Sequence, residues 1–96
     1  MMVLITYDVD TLSSSGKKRL RNVANACKDY GQRVQNSVFE CLLTESQFLV
    51  LRARLESIID LNLDSIRFYF LGKNWERRVE KMGKTTSFDI SGDLII

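Results

Sequence analysis

The run Val3-Leu4-Ile5-Thr6-Tyr7-Asp8-Val9-Asp10 constrains the fold more than any other stretch of this chain. It is apolar and β-branched, and it closes on two carboxylates. Residues two apart on a strand share a face, so Leu4, Thr6, Asp8 and Asp10 point one way. Val3, Ile5, Tyr7 and Val9 point the other way. Each of the first seven residues suits a sheet interior, so a central strand covered on both faces is expected. An ionised Asp at the end of such a strand is costly to bury unless a cation, a donor or water meets it. What meets Asp8 is the functional question.

Ninety-six residues make a single domain, 1–96, whose core is marginal without help, and oligomerisation is the simplest remedy. The two cysteines, Cys27 and Cys41, lie in a helical and a strand pattern without metal-ligand spacing. They read as buried apolar residues. No disulfide is implied, which fits a reducing, cytoplasmic setting. The absence of histidine excludes a Ser-His-Asp triad, a His general base and the common zinc sites. No apolar run reaches the roughly 18 residues that a membrane span needs. The N-terminus enters a strand directly and lacks the charged-then-apolar build of a signal peptide.

The formal net charge of +2 is too small to diagnose a partner, but its distribution is informative. Lys17, Lys18, Arg19, Arg21, Lys28 and Arg33 face only Asp29 in the same stretch. Lys73, Arg77, Arg78, Lys81 and Lys84 are interrupted only by Glu76 and Glu80. Two basic patches on a nearly balanced chain are the footprint of a polyanion binder.

After Asp10, Thr11-Leu12-Ser13-Ser14-Ser15-Gly16 is a polar turn with several potential helix N-caps. A helix is predicted from about Lys17 to Asp29, with Leu20, Val23, Ala24, Cys27 and Tyr30 on its buried face. Gly31 is expected to stop it in the left-handed conformation. Lys17, Lys18 and Arg19 would then occupy the positive end of the helix dipole, where anions belong. Either Asp8 and Asp10 neutralise them, or the helix start is a phosphate site.

Arg33-Val34-Gln35 and Val38-Phe39-Glu40-Cys41-Leu42-Leu43 read as strands joined at Asn36-Ser37 in a short hairpin, or as one bent strand. Thr44-Glu45-Ser46-Gln47 is a capping box opening a second helix to about Asp60. Phe48, Leu51, Leu55, Ile58 and Ile59 should face its core side, with Arg52 and Glu56 paired toward solvent. Leu61 to Asp64 is a loop. Ser65 to Leu71 follows as a strand with Ile66, Phe68 and Phe70 on one face. The order βαββαβ predicts an α+β, ferredoxin-like sandwich over about residues 1–72, with both helices on one side of the sheet. Residues 73–96 form a basic tail ending in the strand-like pieces Ser87-Phe88-Asp89-Ile90 and Leu94-Ile95-Ile96. Those pieces need a sheet edge, and the partner subunit's is the expected one.

Tyr7-Asp8-Val9, Tyr30-Gly31 and Arg33-Val34-Gln35-Asn36-Ser37-Val38-Phe39-Glu40 resemble, in order and spacing, the second core protein of CRISPR adaptation, the Cas-two family. The resemblance covers essentially the whole chain, and the ending Ser87 to Ile96 is similar to the type I-C branch. It implies a ferredoxin-like homodimer whose extra C-terminal strand adds to the partner's sheet. The family's metal-binding aspartate falls on Asp8, two copies facing each other with Mg²⁺, or Mn²⁺ in its place. The implied activity is metal-dependent endonuclease cleavage of single-stranded RNA or double-stranded DNA. The implied partner is the CRISPR integrase, with which members insert new spacers into the array. Family positions tied to activity or nucleic-acid binding match at Tyr7, Arg19, Arg21, Arg33 and Phe39. The serine-rich turn after Asp10 departs from the charged residues common there.

A hard cation takes oxygen ligands and keeps several waters, so one Asp per chain is a thin site that a second copy would complete. Metal-assisted hydrolysis is the phosphodiesterase chemistry compatible with a chain lacking His. Asp10 reads as solvated, with a second-ligand role as the alternative. Arg19 and Arg21 fit an ordinary solvated helix face or phosphate contact, and Phe39 fits core or dimer-interface packing, with base stacking as the alternative. Lys17, Lys18, Arg19, Arg21, Arg33, Arg77 and Arg78 are the candidate phosphate contacts, independent of base sequence. The competing readings are a non-catalytic DNA-binding scaffold bridging integrase dimers, and a regulatory ferredoxin-like module unrelated to nucleic acid.

Overall fold

The computed structural model of the chain describes residues 1–83. Its first strand, β1 (Met2–Asp8), pairs antiparallel with β3 (Val38–Leu42) on one side and β4 (Ser65–Gly72) on the other. β2 (Gly31–Gln35) extends the sheet beyond β3, giving the order β2-β3-β1-β4. Two long helices, α1 (Ser14–Lys28) and α2 (Glu45–Ile58), complete the ferredoxin-like α+β fold expected from the order of the elements. The hairpin at Asn36-Ser37 forms, so the bent-strand alternative is set aside.

Register decides what each face of β1 meets. Ile5 lies between Phe39 and Phe68, and Tyr7 lies opposite Ile66. With Val3 and Val9 they join Val23, Ala24, Ala26 and Cys27 of α1, Cys41, Leu43, and Leu51 and Leu55 of α2 in one core cluster. The other face differs from the expected double cover: Leu4 and Thr6 are only half-buried, and Asp8 is exposed. Both long helices pack on the odd-numbered face. Leu42 (44 % exposed) and Tyr69 (42 %), aligned with this open face by pairing, leave apolar surface around β1. Cys27 and Cys41 are free and buried, and burial pushes their thiols up to about 12 and about 11. They behave as apolar residues, as their pattern suggests.

Helix α1 starts three residues earlier than the basic run suggests. Ser13 caps it, its hydroxyl accepting from the Gly16 amide at 3.1 Å. Lys17, Lys18 and Arg19 therefore occupy the second turn, which relaxes the dipole conflict because that field fades beyond the first. Gly16 packs so tightly on the Asp10 carbonyl that a Cβ there would collide with it. Gly31 corrects another expectation. The helix is capped by Asp29 in ordinary right-handed geometry, and Gly31 opens β2 without a positive φ. A Cβ at Gly31 would meet the Glu40 carbonyl and the Cys41 sulfur, so glycine is needed for backbone approach.

Helix α2 carries the capping box: Thr44 Oγ1 accepts from the Gln47 amide at 3.1 Å, and Gln47 Oε1 accepts from the Thr44 amide at 2.9 Å. Phe48 sets its ring edge-on to Phe68 and Phe70, at 5.3 and 5.1 Å between centroids. Arg52 and Glu56 pair at 3.7 Å on the exposed side. Beyond Gly72, at φ +79, residues Trp75–Arg78 form a short helical turn, α3, within the basic tail. The expected C-terminal strand pieces, 87–90 and 94–96, lie outside the described residues.

Candidate metal and nucleic-acid site

Asp8 is the last residue of β1, paired across the sheet with Ser65. Its carboxylate is exposed on the open sheet face and has no hydrogen-bond or ion-pair partner among the described residues. Two residues later, Asp10 Oδ1 accepts from the Leu12 amide at 3.0 Å and shapes the turn into α1.

The backbone carrying these two acids is held by a residue that sequence reasoning passed over. Asp64, the last loop residue before β4, has a fully buried side chain. Its Oδ1 accepts from the Asp10 amide at 3.0 Å, and its Oδ2 from the Asp60 amide at 2.9 Å. Arg19 donates Nε to Oδ2 at 2.8 Å and Nη2 to Oδ1 at 3.4 Å. A buried carboxylate so surrounded keeps its charge, and the Arg19 hydrogen bond holds its pKa below the ordinary aspartate value. Nothing local in Leu61-Asn62-Leu63-Asp64 signals this, because the donors come from three separate segments.

Of the basic candidates, Lys17, Lys18 and Arg21 are exposed on α1 with no hydrogen bond or ion pair from their side chains among the described residues. The packing of Gly16 on Asp10 sets their end of α1 beside the end of β1. Arg19 is different: its guanidinium is committed to Asp64. Arg77 is exposed in α3, and Arg78 donates to the Leu71 carbonyl at 2.8 Å. Arg33 is exposed, its guanidinium 5.3 Å from the centre of the Phe39 ring, a cation–π distance.

Tyr7 and Phe39 lie on the opposite side of the sheet from Asp8. Phe39 is fully buried, so of its two packing alternatives the core is the one found. Tyr7 stacks on it at 6.2 Å and donates its hydroxyl to the Asn36 carbonyl at 3.3 Å. Burial raises the phenol's pKa. Both residues brace the β2–β3 hairpin.

The donor set bears on metal binding directly. No group of three His, Cys, Asp or Glu side chains able to hold an ion exists among the described residues. Asp8 nonetheless offers what a hard cation takes: a pair of carboxylate oxygens, exposed and uncommitted among the described residues. An ion held there would find one carboxylate per chain, and water, a substrate phosphate or a second Asp8 would have to complete its shell.

The family model for CRISPR associated protein Cas2 matches residues 1–79. A Rhodospirillum rubrum protein, CRISPR-associated endoribonuclease Cas2 3, is 55% identical over 95 residues, covering 99% of this chain and 100% of its own. A Halalkalibacterium halodurans protein, CRISPR-associated endonuclease Cas2, is 54% identical over 95 residues, covering 99% of each. The crystal structure of Streptococcus pyogenes Cas2 superposes with a TM-score of 0.78 at 64% identity, covering 86% of this chain and 100% of that one. No described helix is long and apolar enough to cross a membrane. With the ferredoxin-like sheet, the strand-end aspartate and these matches in agreement, the chain belongs to the CRISPR associated protein Cas2 family.

Proposed function

We propose that this chain is a metal-dependent endonuclease acting on RNA or double-stranded DNA, with Asp8 from two copies as its metal-binding core. The observation that carries the reading is the contrast between two acids at one end of the sheet. Asp64 is buried and spent on four hydrogen bonds, whereas Asp8 is exposed and spent on none among the described residues. A carboxylate at the end of a paired strand, left without a partner among the described residues, suits a ligand from outside the chain. The curated names of the relatives, endoribonuclease and endonuclease, point the same way.

Asp8 would hold Mg²⁺ or Mn²⁺, which supplies polarisation of the phosphate and a bound water of lowered pKa. The chain's own residues do the rest. Lys17, Lys18 and Arg21 neutralise the nucleic-acid backbone beside the strand end. The open apolar face with Leu4, Leu42 and Tyr69 gives a second copy a surface to cover, bringing its Asp8 alongside. β4 is an edge strand among the described residues, so a segment of the partner would have a ladder to join. In the cell the homodimer works with the CRISPR integrase in inserting new spacers.

A second reading is supported by the thin metal site and by Lys17, Lys18, Arg21 and Arg77, whose side chains are unpaired among the described residues: a DNA-binding scaffold bridging integrase dimers without cleavage. One experiment separates them. Metal-stimulated cleavage and spacer acquisition are measured side by side for wild type and Asp8→Asn. Loss of cleavage in Asp8→Asn supports the nuclease, and equal residual cleavage by both purified proteins sinks it. Acquisition that survives Asp8→Asn but stops on deleting Ser87 to Ile96, or on reversing Arg77 and Arg78, supports the scaffold.

A further inference from the structure

We propose that Arg19 and Asp64 are positioning residues, fixing the Asp8 carboxylate by clamping both backbone groups of Asp10. The inference rests on the nuclease reading of Asp8. It changes the part assigned to Arg19, which acts through Asp64 instead of touching phosphate.

The geometry is specific. The Asp10 amide donates to Asp64 Oδ1 at 3.0 Å, and its carbonyl faces Arg19 Nη2 at a longer 3.5 Å. Gly16 presses on the same carbonyl from α1, with no room for a side chain. Asp64 directly precedes Ser65, the cross-strand partner of Asp8. Asp8 is thus bracketed by the last rung of the β1–β4 ladder and, two residues on, by this clamp. Because its side chain has no partner among the described residues, backbone placement sets where its Cβ sits and so the region its oxygens can reach.

Arg19 has little left for a ligand. Nε and Nη2 are bonded to Asp64, Nη1 reaches Ser15 Oγ at 3.4 Å, and the side chain is only 16% exposed. A phosphate contact would have to break a charge-assisted pair to a buried carboxylate, leaving that charge unmatched. Lys17, Lys18 and Arg21, exposed and unpaired among the described residues, meet a phosphate without that penalty.

The test uses the full chain as Arg19→Gln, Arg19→Lys, Asp64→Asn and the Arg19→Gln/Asp64→Asn double variant, with Arg21→Gln for comparison. All are assayed well below their melting temperatures. Cleavage of a single-stranded RNA and of a DNA duplex is measured with Mg²⁺, together with nucleic-acid affinity against salt and hydrogen exchange at the Asp10 amide. The clamp predicts that Arg19→Gln and Asp64→Asn each lower kcat by about tenfold or more at unchanged KM. The double variant loses no more than either alone, because the pair acts as one unit. Arg19→Lys recovers part of the rate, and Asp10 exchanges faster in every variant except Arg21→Gln.

The salt dependence of binding stays at the wild-type slope for Arg19→Gln and falls by about one phosphate for Arg21→Gln. A shallower slope for Arg19→Gln would make it a phosphate contact and overturn the proposal. Unchanged kcat per folded molecule would do the same, reducing the pair to fold stability. Should the wild type show no metal-stimulated cleavage, the nuclease reading fails by itself. The clamp is then decided by Asp10 exchange, surviving if it quickens in the variants and failing if it does not.

Discussion

Tyr7 and Asp8 are adjacent on β1 yet face opposite sides of the sheet, one stacked on Phe39 and the other open to solvent. Pleating enforces this, and it separates two residues that a linear motif binds together. Substituting them should give unlike results. Asp8→Asn removes an exposed charge with no partner among the described residues, so stability should shift by less than about 0.5 kcal/mol. Metal-stimulated cleavage should disappear. Tyr7→Phe gives up one hydrogen bond to the Asn36 carbonyl, at a cost of about 1 kcal/mol, and should keep its cleavage. Thermal melts paired with cleavage assays check both halves. A folded Asp8→Asn protein with full activity would remove the metal-site reading.

The two close-packed glycines are expected to resist the smallest substitution. Gly31→Ala drives a methyl into the Glu40 carbonyl and the Cys41 sulfur, and Gly16→Ala drives one into the Asp10 carbonyl. Neither glycine has a positive φ, so the penalty is overpacking and not backbone strain. Each variant should lose about 1–3 kcal/mol in denaturant unfolding. Gly83→Ala is the contrast: nothing lies near its Cβ position, and only its φ of +90 opposes a side chain.

What was legible in the sequence was local. Alternation along Val3 to Val9 marks the buried face of β1, and the Thr44–Gln47 box marks the start of α2, because each is decided within a few neighbouring residues. The start of α1 was obscured by a serine run in which Ser13, Ser14 and Ser15 can all cap. The role of Gly31 is hidden from a local reading because what forbids its side chain is a strand ten residues away. α3 spans only four residues, too few to carry a period. At the candidate site, Asp8 was legible as an acid ending an apolar strand. Asp64 was not, since its donors lie at Asp10, Arg19 and Asp60 and meet only after folding.

Cys27 and Cys41 are expected to be chemically silent in the native protein. Both are fully buried, and burial raises their thiols to about 12 and about 11, so thiolate is scarce at neutral pH. A thiol reagent should label them only as fast as the protein unfolds. The check is labelling rate against denaturant, followed with circular dichroism. Rapid labelling of a folded sample would show that α1 and β3 separate far more readily than their packing implies.

The acid limit of stability should belong largely to Asp64. The hydrogen bond from Arg19, assisted by those from the Asp60 and Asp10 amides, holds its folded pKa below the unfolded aspartate value of about 3.9. In the unfolded chain the group takes up its proton first, so protonation favours unfolding. The stabilisation from this carboxylate is therefore complete above the unfolded value and is lost as pH falls through the folded one. Asp64→Asn should show a flatter melting curve across that acid range, and a lower melting temperature than wild type at neutral pH. Asp64→Ala, which strands Arg19 and two amides, should cost about 3 kcal/mol at pH 7. Melting both proteins from pH 7 down to about pH 2 decides the point. Parallel curves for wild type and Asp64→Asn would move the acid sensitivity to other carboxylates.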